Sequence, residues 1–427
     1  MNLPSSTSRY HRLFKEGVWI IVGQILAVTG SIFGVRLLTE LLSPADYGQL
    51  AVWMTLVSLI NYVIFGPLNS GAARFYSTGA EQGDLVDYIG GIHYLALFGT
   101  CCMLIIVLIT VFISGRIDWI IPLVATVSFA VFSGYNGIFN SIQNAARRRS
   151  IAALHQGIEP WVRYLIASIS IFFIGSTFSV TLGGYAISAA LVLVSQYIFF
   201  YSNRPRQLKN QKNVAAWSSK IWKYSWPMAV AGITSWGYLA SQIWALELFS
   251  TKSNVGFFSV IIQIGFAPLM MLGGVAMTLL MPIIFARAGD GLDKQRFKLS
   301  VKPIIKFSLV GFLIVISLTA ISTVFHPLVF QLLVAKQYRI FSHYLPFVVL
   351  SAGILQVSTL LATIVLASSN TRILLPLNTI GNGIIAATNF IATYFYGMTG
   401  IFFAMVIGSV MHLVWNIHNA WRVYRSD

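Results

Sequence analysis

The chain has 427 residues, of which 57% are apolar, 14% aromatic and only 9% charged. A soluble domain carries about 25% charged residues, so this composition cannot coat itself for water. The formal net charge of +16 suggests a nucleic-acid partner at first sight. The positions of the charges, at the ends of long apolar runs, argue against one.

Inside a bilayer every backbone N–H and C=O must be bonded within its own segment, so apolar runs of about 20 residues read as helices. Barrel strands would be runs of about 10 residues with alternating character, a pattern the chain lacks. Taken in order, the runs predict twelve spans over 17–38, 49–73, 88–113, 119–143, 153–174, 181–202, 223–249, 256–285, 303–325, 343–368, 372–394 and 400–421. The expected fold class is an all-α polytopic membrane protein with about 12 transmembrane helices. The first run is full length and has no small-residue cleavage site, so it reads as a span. If the N-terminus is cytoplasmic, the inner loops and span ends hold most of the 28 Lys and Arg, and only Arg36, Arg116, Lys252, Lys336 and Arg339 fall on the outer side. This is the positive-inside pattern, and it predicts that both termini are cytoplasmic. Attraction of anionic lipid is a secondary role for the same charges.

Several activities have no foothold. There is no GxxxxGK[ST], HExxH or GxSxG motif. Cys101 and Cys102 are adjacent within a span and read as apolar filling. The longest outer connection, 326–342, leaves little room for a catalytic domain. The inner loops 203–222 and 286–302 are basic and too short to fold alone. No enzyme activity, catalytic residue, metal or cofactor is expected.

One motif occurs twice. Leu41–Ala51 reads LLSPADYGQLA, and Leu248–Ser259 reads LFSTKSNVGFFS. Gly48 and Gly256 each open the second span of a six-span set. Each set closes that span near an arginine, Arg74 or Arg287, shortly after Pro67 or Pro282. The spacing is half the chain, which predicts a parallel duplication with lobes 1–210 and 211–427. Such repeats place a substrate site at their interface.

The segments EGVWIIVGQILAVTGSIFGVRLL, LSPADYGQLAVWMTLVSLI and FGPLNSGAARFYSTG resemble the start of the polysaccharide (O-antigen, capsule, exopolysaccharide) flippases. SNVGFFSVIIQI is similar to the second-lobe turn of that family. The family belongs to the superfamily of multidrug and toxin extruders and the peptidoglycan-precursor flippase. The chain departs from the pattern at Glu40, where relatives often carry a basic residue. It departs again at Ile243 and Trp244, where an Asp-Arg pair is common. The resemblance implies two six-helix lobes around a central cavity in a bacterial cytoplasmic (inner) membrane. It also implies movement of a polyprenyl-pyrophosphate-linked oligosaccharide from the inner to the outer leaflet by alternating access. The implied partners are that lipid-linked oligosaccharide, membrane lipids, and the polymerase and assembly proteins of the polymer. With both lobes in one chain, a monomer suffices.

Such a substrate needs a wet, polar path, because each unpaired hydroxyl costs several kcal/mol in hydrocarbon. Polar stripes run along five spans: Gln24 and Ser31; Ser133, Asn136, Asn140 and Gln143; Ser235, Tyr238 and Gln242; Gln356, Thr359 and Thr363; and Asn378, Asn382, Asn389 and Thr393. One stripe alone reads as helix–helix hydrogen bonding, whereas five together favour a cavity. Arg163 is the most deeply placed charge. It either pairs with Glu159, four residues earlier, or binds pyrophosphate or a sugar acid. Arg36 either snorkels or faces the cavity. Arg74, Arg287 and Arg372 either capture a headgroup or enforce topology. The candidate substrate-binding set is therefore Arg163, Arg36, Arg74, Arg287, Arg372, Asn378, Asn382, Asn389, Asn140, Gln242 and Tyr238. Glu247 and Glu159 are the candidates for proton or sodium coupling. His93 and His412 read as satisfied hydrogen-bonding residues. Moving an anion outward gains about 2.3 kcal/mol per charge per 100 mV, so membrane potential is an alternative driving force. Competing readings are a multidrug or cation exporter of the same superfamily, a membrane glycan polymerase or ligase, and a scaffold for glycan assembly.

Overall fold

The computed structural model describes residues 6–202, 213–288, 294–368 and 371–426. Part of each expected inner loop, 203–212 with Arg204, Arg206, Lys209 and Lys212, and 289–293, lies outside the described residues. Among the described residues there is no strand. The helices are α1 (Ser6–Leu41), α2 (Pro44–Ile60), α3 (Gly66–Gln82), α4 (Leu85–Ser114), α5 (Ile120–Ala145) and α6 (Arg149–Ile174). They continue as α7 (Phe178–Ser202), α8 (Val214–Phe249), α9 (Lys252–Ala288), α10 (Lys294–Leu333), α11 (Leu345–Ala367) and α12 (Asn382–Ser426). Two π-helical turns, Asn61–Phe65 and Leu377–Gly381, interrupt the regular winding.

Ten segments among the described residues are long and apolar enough to cross a membrane. Outward-facing rings such as Phe112 and Phe172, 89% and 80% exposed, suit lipid and would be a liability in water. The protein is a multi-pass membrane protein. Each of the twelve expected spans has a helix over it. The segment Arg372–Arg425 holds two of them, because the chain breaks its helical course at Gly397 (φ 55°, ψ −134°). The expected span 223–249 lies within α8, which is not among the ten; Ser, Gln, Lys223 and Glu247 dilute its aliphatic residues.

The stretch 326–342 is not a loop. α10 runs on through Pro327 to Leu333, and residues 336–344 form a 3-10 helix. Arg339 explains the stop. Its guanidinium donates to the carbonyls of Gln331 (3.1 Å) and Val334 (3.2 Å), which the last turn of a helix leaves without partners.

Two compact units emerge, Met1–Leu42 with Trp53–Trp236, and Ser43–Val52 with Gly237–Asp427. α2 and α8 therefore each contribute residues to both.

In the first unit, α1 lies against α6 at backbone distance. A Cβ on Gly23 would sit 2.6 Å from the Ala153 carbonyl oxygen, and one on Gly30 would sit 2.6 Å from the Trp161 ring. The Trp161 indole N–H donates to the Leu26 carbonyl at 2.9 Å. Small residues at helical spacing are the usual means of close packing where lipid offers no hydrophobic drive. α5 and α7 pack through Asn136, whose Nδ2 donates to the Ala189 carbonyl at 2.9 Å. In the second unit α9, α10, α11 and α12 enclose a core that includes Ile284, Phe297, Val301, Ile304 and Val365.

The repeated motif has a physical reading. Ser43 Oγ accepts from the Asp46 backbone N–H (3.1 Å) and donates to its carboxylate (2.6 Å). Thr251 Oγ1 accepts from the Asn254 backbone N–H (3.2 Å). Both are helix N-caps, opening α2 and α9. At Gly48 and Gly256, equally placed after the two caps, the two first turns cross. A Cβ on Gly48 would overlap the Lys252 carbonyl oxygen, and a Cβ on Gly256 would overlap the Pro44 carbonyl oxygen. The contact is reciprocal: each glycine meets the carbonyl one helical turn before the other glycine. Tyr47 on the same turn donates to Gln263 at 2.6 Å and stands edge-on to Tyr338.

Overpacking at this crossing sets a prediction. Gly48→Val and Gly256→Val should each lower stability by about 1–3 kcal/mol, read as a fall in the thermal midpoint of the detergent-solubilised protein. Gly183→Ala in α7, where nothing lies within 4 Å of the added carbon, should leave the midpoint unchanged or raise it slightly. Equal behaviour of the three variants would disprove the crossing.

Candidate functional site

A cavity of about 440 Å³ lies in the first unit among α2, α5 and α6. Small-molecule sites span about 300–1,000 Å³. Each helix contributes one face, at the three- and four-residue spacing that stacks side chains. α2 and the turn after it supply Met54, Val57, Ser58, Asn61 and Tyr62. α5 supplies Phe129, Ser133, Asn136, Gly137 and Asn140, and α6 supplies Gln156, Glu159 and Arg163.

Local sequence explains how these faces are held. Pro67 cannot donate a backbone hydrogen bond, and the chain before it winds as the π-helical turn Asn61–Phe65. Such turns often mark functional positions. Phe65 fills the notch at Gly134 of α5, where a Cβ would overlap its ring. On α6, Pro160 lies inside the helix. It has no N–H to offer the Gln156 carbonyl four residues earlier.

Arg163 and Glu159 form an ion pair, Nη1 to Oε1 at 3.5 Å, with side chains 19% and 26% exposed. The guanidinium carbon stands 5.0 Å from the Tyr164 ring centre and 5.5 Å from that of Tyr185. A planar cation over aromatic faces is held in orientation as well as in place. Tyr164 in turn occupies the notch at Gly34 of α1. So the small residues of α1 fix the ring that fixes the arginine. Two buried polar atoms of this site have no hydrogen-bond partner, Arg163 Nε and Asn140 Oδ1. Asn136 differs: its amide nitrogen serves the α5–α7 contact.

Residues 13–288 match the profile described as Polysaccharide biosynthesis protein, which is more than half of the chain. The chain belongs to that family. No curated protein matches it by sequence. Solved structures share its fold at low identity. An inward-facing multidrug resistance MATE transporter of the MOP superfamily has a TM-score of 0.68 at 13% identity, over 95% of this chain and 98% of that one. The lipid II flippase MurJ, in an inward closed conformation, has a TM-score of 0.68 at 14% identity, over 96% and 90%. A MOP superfamily transporter from Pyrococcus furiosus, described as having a binding pocket of reversed polarity, has 0.64 at 14%, over 97% and 95%. The family assignment places the chain in polysaccharide biosynthesis, and these structures show the fold that it shares with them.

Of the residues anticipated from sequence, the family member's first unit gathers Arg163, Glu159 and Asn140 into this cavity. Arg36 does not line it; the guanidinium pairs with Glu40 at 2.5 Å on α1. Arg74 lies exposed on α3. In the second unit, Asn382 and Asn389 are buried and engaged. Asn382 donates to the Asn378 carbonyl at 3.0 Å, and Asn389 donates to Ser241 at 2.8 Å. Their side-chain oxygens remain unpartnered. Asn378, Arg372 and Arg287 are exposed. Gln242 is buried, and Tyr238 stacks at an angle on His412, 5.7 Å between centres. Glu247 accepts from Gln49 at 3.1 Å, with its second oxygen buried and unpartnered. Sequence reasoning missed Asn61, Tyr62 and Gln156. Gln156 was legible, three residues before Glu159 on the same face. Asn61 and Tyr62 continue the face of Met54, Val57 and Ser58 at the same three- and four-residue spacing.

The ion pair yields a second prediction. Removing one partner leaves the other charge uncompensated in a partly buried site. Glu159→Gln and Arg163→Met should each cost about 1–3 kcal/mol. The double variant should cost less than the sum of the two, measured as a thermal double-mutant cycle. Additive losses would mean the two side chains act independently.

Proposed function

We propose that the protein is a flippase that moves a polyprenyl-pyrophosphate-linked oligosaccharide repeat unit from the inner to the outer leaflet of a bacterial cytoplasmic membrane. The movement is by alternating access of two six-helix lobes, 1–210 and 211–427, with both termini cytoplasmic. The observation that carries the reading is the polar cavity among α2, α5 and α6, in a chain whose family serves polysaccharide biosynthesis. A hydroxyl-rich headgroup needs such a surface to leave water, while its lipid tail stays in hydrocarbon. The similarity to a protein described as a lipid II flippase supports the same class of cargo. The multidrug or cation exporter is the second reading, suggested by the MATE neighbours. It needs an uncompensated carboxylate to hold a cation, and Glu159 in this cavity is already paired with Arg163. A polymerase or ligase would need a catalytic set that the cavity lining lacks.

The test is lipid extraction from a deletion strain with mass spectrometry of the carrier-linked sugars. The flippase reading expects complete repeat units to accumulate on the carrier in the inner leaflet. Single units on the outer leaflet that are never joined would sink it in favour of polymerisation.

A further inference from the structure

The cavity of the first unit is polar without being charged. Its lining includes one cation and one anion, Arg163 and Glu159, and they are paired. The guanidinium is also committed to the faces of Tyr164 and Tyr185. A pyrophosphate offers only acceptors and carries negative charge. Entering here, it would meet the Glu159 carboxylate and a cation already compensated. The remaining lining is of another kind: the hydroxyls of Ser58, Ser133 and Tyr62, and the side-chain amides of Asn61, Asn140 and Gln156. Amides and hydroxyls each donate and accept; Ser58, Ser133 and Asn61 each spend one donor on a carbonyl of their own helix (2.7, 3.2 and 3.1 Å) and keep their oxygens as acceptors. A sugar hydroxyl also donates and accepts, and a sugar's C–H face packs on apolar and aromatic surface such as Met54, Phe129 and Tyr62.

The unsatisfied atoms point the same way. Arg163 Nε is a buried donor and the Asn140 side-chain oxygen a buried acceptor, neither with a partner. A hydroxyl can accept from an atom of the first kind and donate to one of the second. A phosphate oxygen can do only the former.

We infer that this cavity is a sugar-reading subsite: it takes an uncharged, hydroxyl-bearing sugar residue of the headgroup through Asn140, Gln156 and Arg163 Nε, and it excludes the pyrophosphate. The inference rests on the flippase reading. It places substrate selectivity in the amides of α5 and α6, and it leaves the pyrophosphate to be held elsewhere.

The experiment uses the full-length protein in lipid nanodiscs with two probes. One is bare undecaprenyl pyrophosphate. The other is the glycosylated carrier-lipid fraction extracted from a strain lacking the protein. Binding is measured for wild type, Asn140→Leu and Gln156→Leu, with thermal midpoints as a fold control. Gln156 is exposed to the cavity, so its variant decides the matter if Asn140→Leu does not fold. The expected result is that wild type prefers the glycosylated lipid. Each variant loses about tenfold on that lipid and keeps its affinity for the bare carrier. Equal losses on both lipids would place the pyrophosphate in the cavity and overturn the proposal. Unchanged binding of the glycosylated lipid by both variants would overturn it too. A wild-type protein that binds neither probe would instead remove the flippase reading on which the proposal stands.

Discussion

A polar group inside a helix bundle has to find its partner within the protein, and that constraint organises this molecule. A group left unpaired away from water costs about 1–3 kcal/mol. Most of the polar side chains along the spans meet the demand locally. Ser351 donates to the Met405 carbonyl at 3.0 Å, and the amide nitrogens of Asn389 and Asn416 reach Ser241 and Ser358 (2.8 and 2.9 Å) while their side-chain oxygens stay unpartnered. Threonines and serines bond back to carbonyls three or four residues earlier, as Thr393 does to Asn389. These contacts are glue between and within helices. Among the described residues twelve buried side-chain atoms have no partner, and two of them, Arg163 Nε and Asn140 Oδ1, belong to one cavity.

Orientation in that cavity depends on residues with almost no side chain. Gly23, Gly30 and Gly34 bring α1 close to α6, and the rings of Trp161 and Tyr164 fill the notches that result. Tyr164 then presents its face to Arg163. A lysine could not take this place in the same way, because only the planar guanidinium lies flat over a ring while keeping an in-plane donor free. The repeated turn uses the same device. N-caps at Ser43 and Thr251 start α2 and α9. Glycines at the equivalent later position then let the two starts touch.

The helical architecture was legible in the sequence because lipid permits so few alternatives: run length was enough to mark twelve spans, each of which has a helix over it. The repeated motif was legible too, although its reason was not, since a reciprocal backbone contact leaves no mark except two glycines. The site was legible in part. Arg163 and Glu159 sit four apart and announced themselves. The asparagine stripe at 378–393 looked equally promising, yet it spends its amides on Ser241 and on its own carbonyls. Spacing alone cannot separate a stripe that faces a neighbouring helix from one that faces a void. The stripe 133–143 does both: Asn136 ties α5 to α7, while Asn140 keeps a free oxygen. Asn61 and Tyr62 continue the regular face of Met54, Val57 and Ser58, but nothing in the sequence says that this face of α2 meets α5 and α6.

A transporter's site must release what it recognises, and this bears on the chemistry of the cavity. A cluster of uncompensated arginines would hold a pyrophosphate through charge-assisted bonds, each about twice as strong as a neutral one, and release would have to overcome all of them. Amide–hydroxyl bonds exchange with water almost evenly, at a net 0.5–1.5 kcal/mol or so apiece. They distinguish a sugar that fits from one that does not, because a mismatched group strands a buried donor or acceptor. They still let the matched sugar go when water returns. A lining that is polar, aromatic and electrically balanced thus combines selectivity with turnover. On the proposed flippase reading, the Glu159–Arg163 pair would cancel a charge that otherwise traps the anionic end of the cargo.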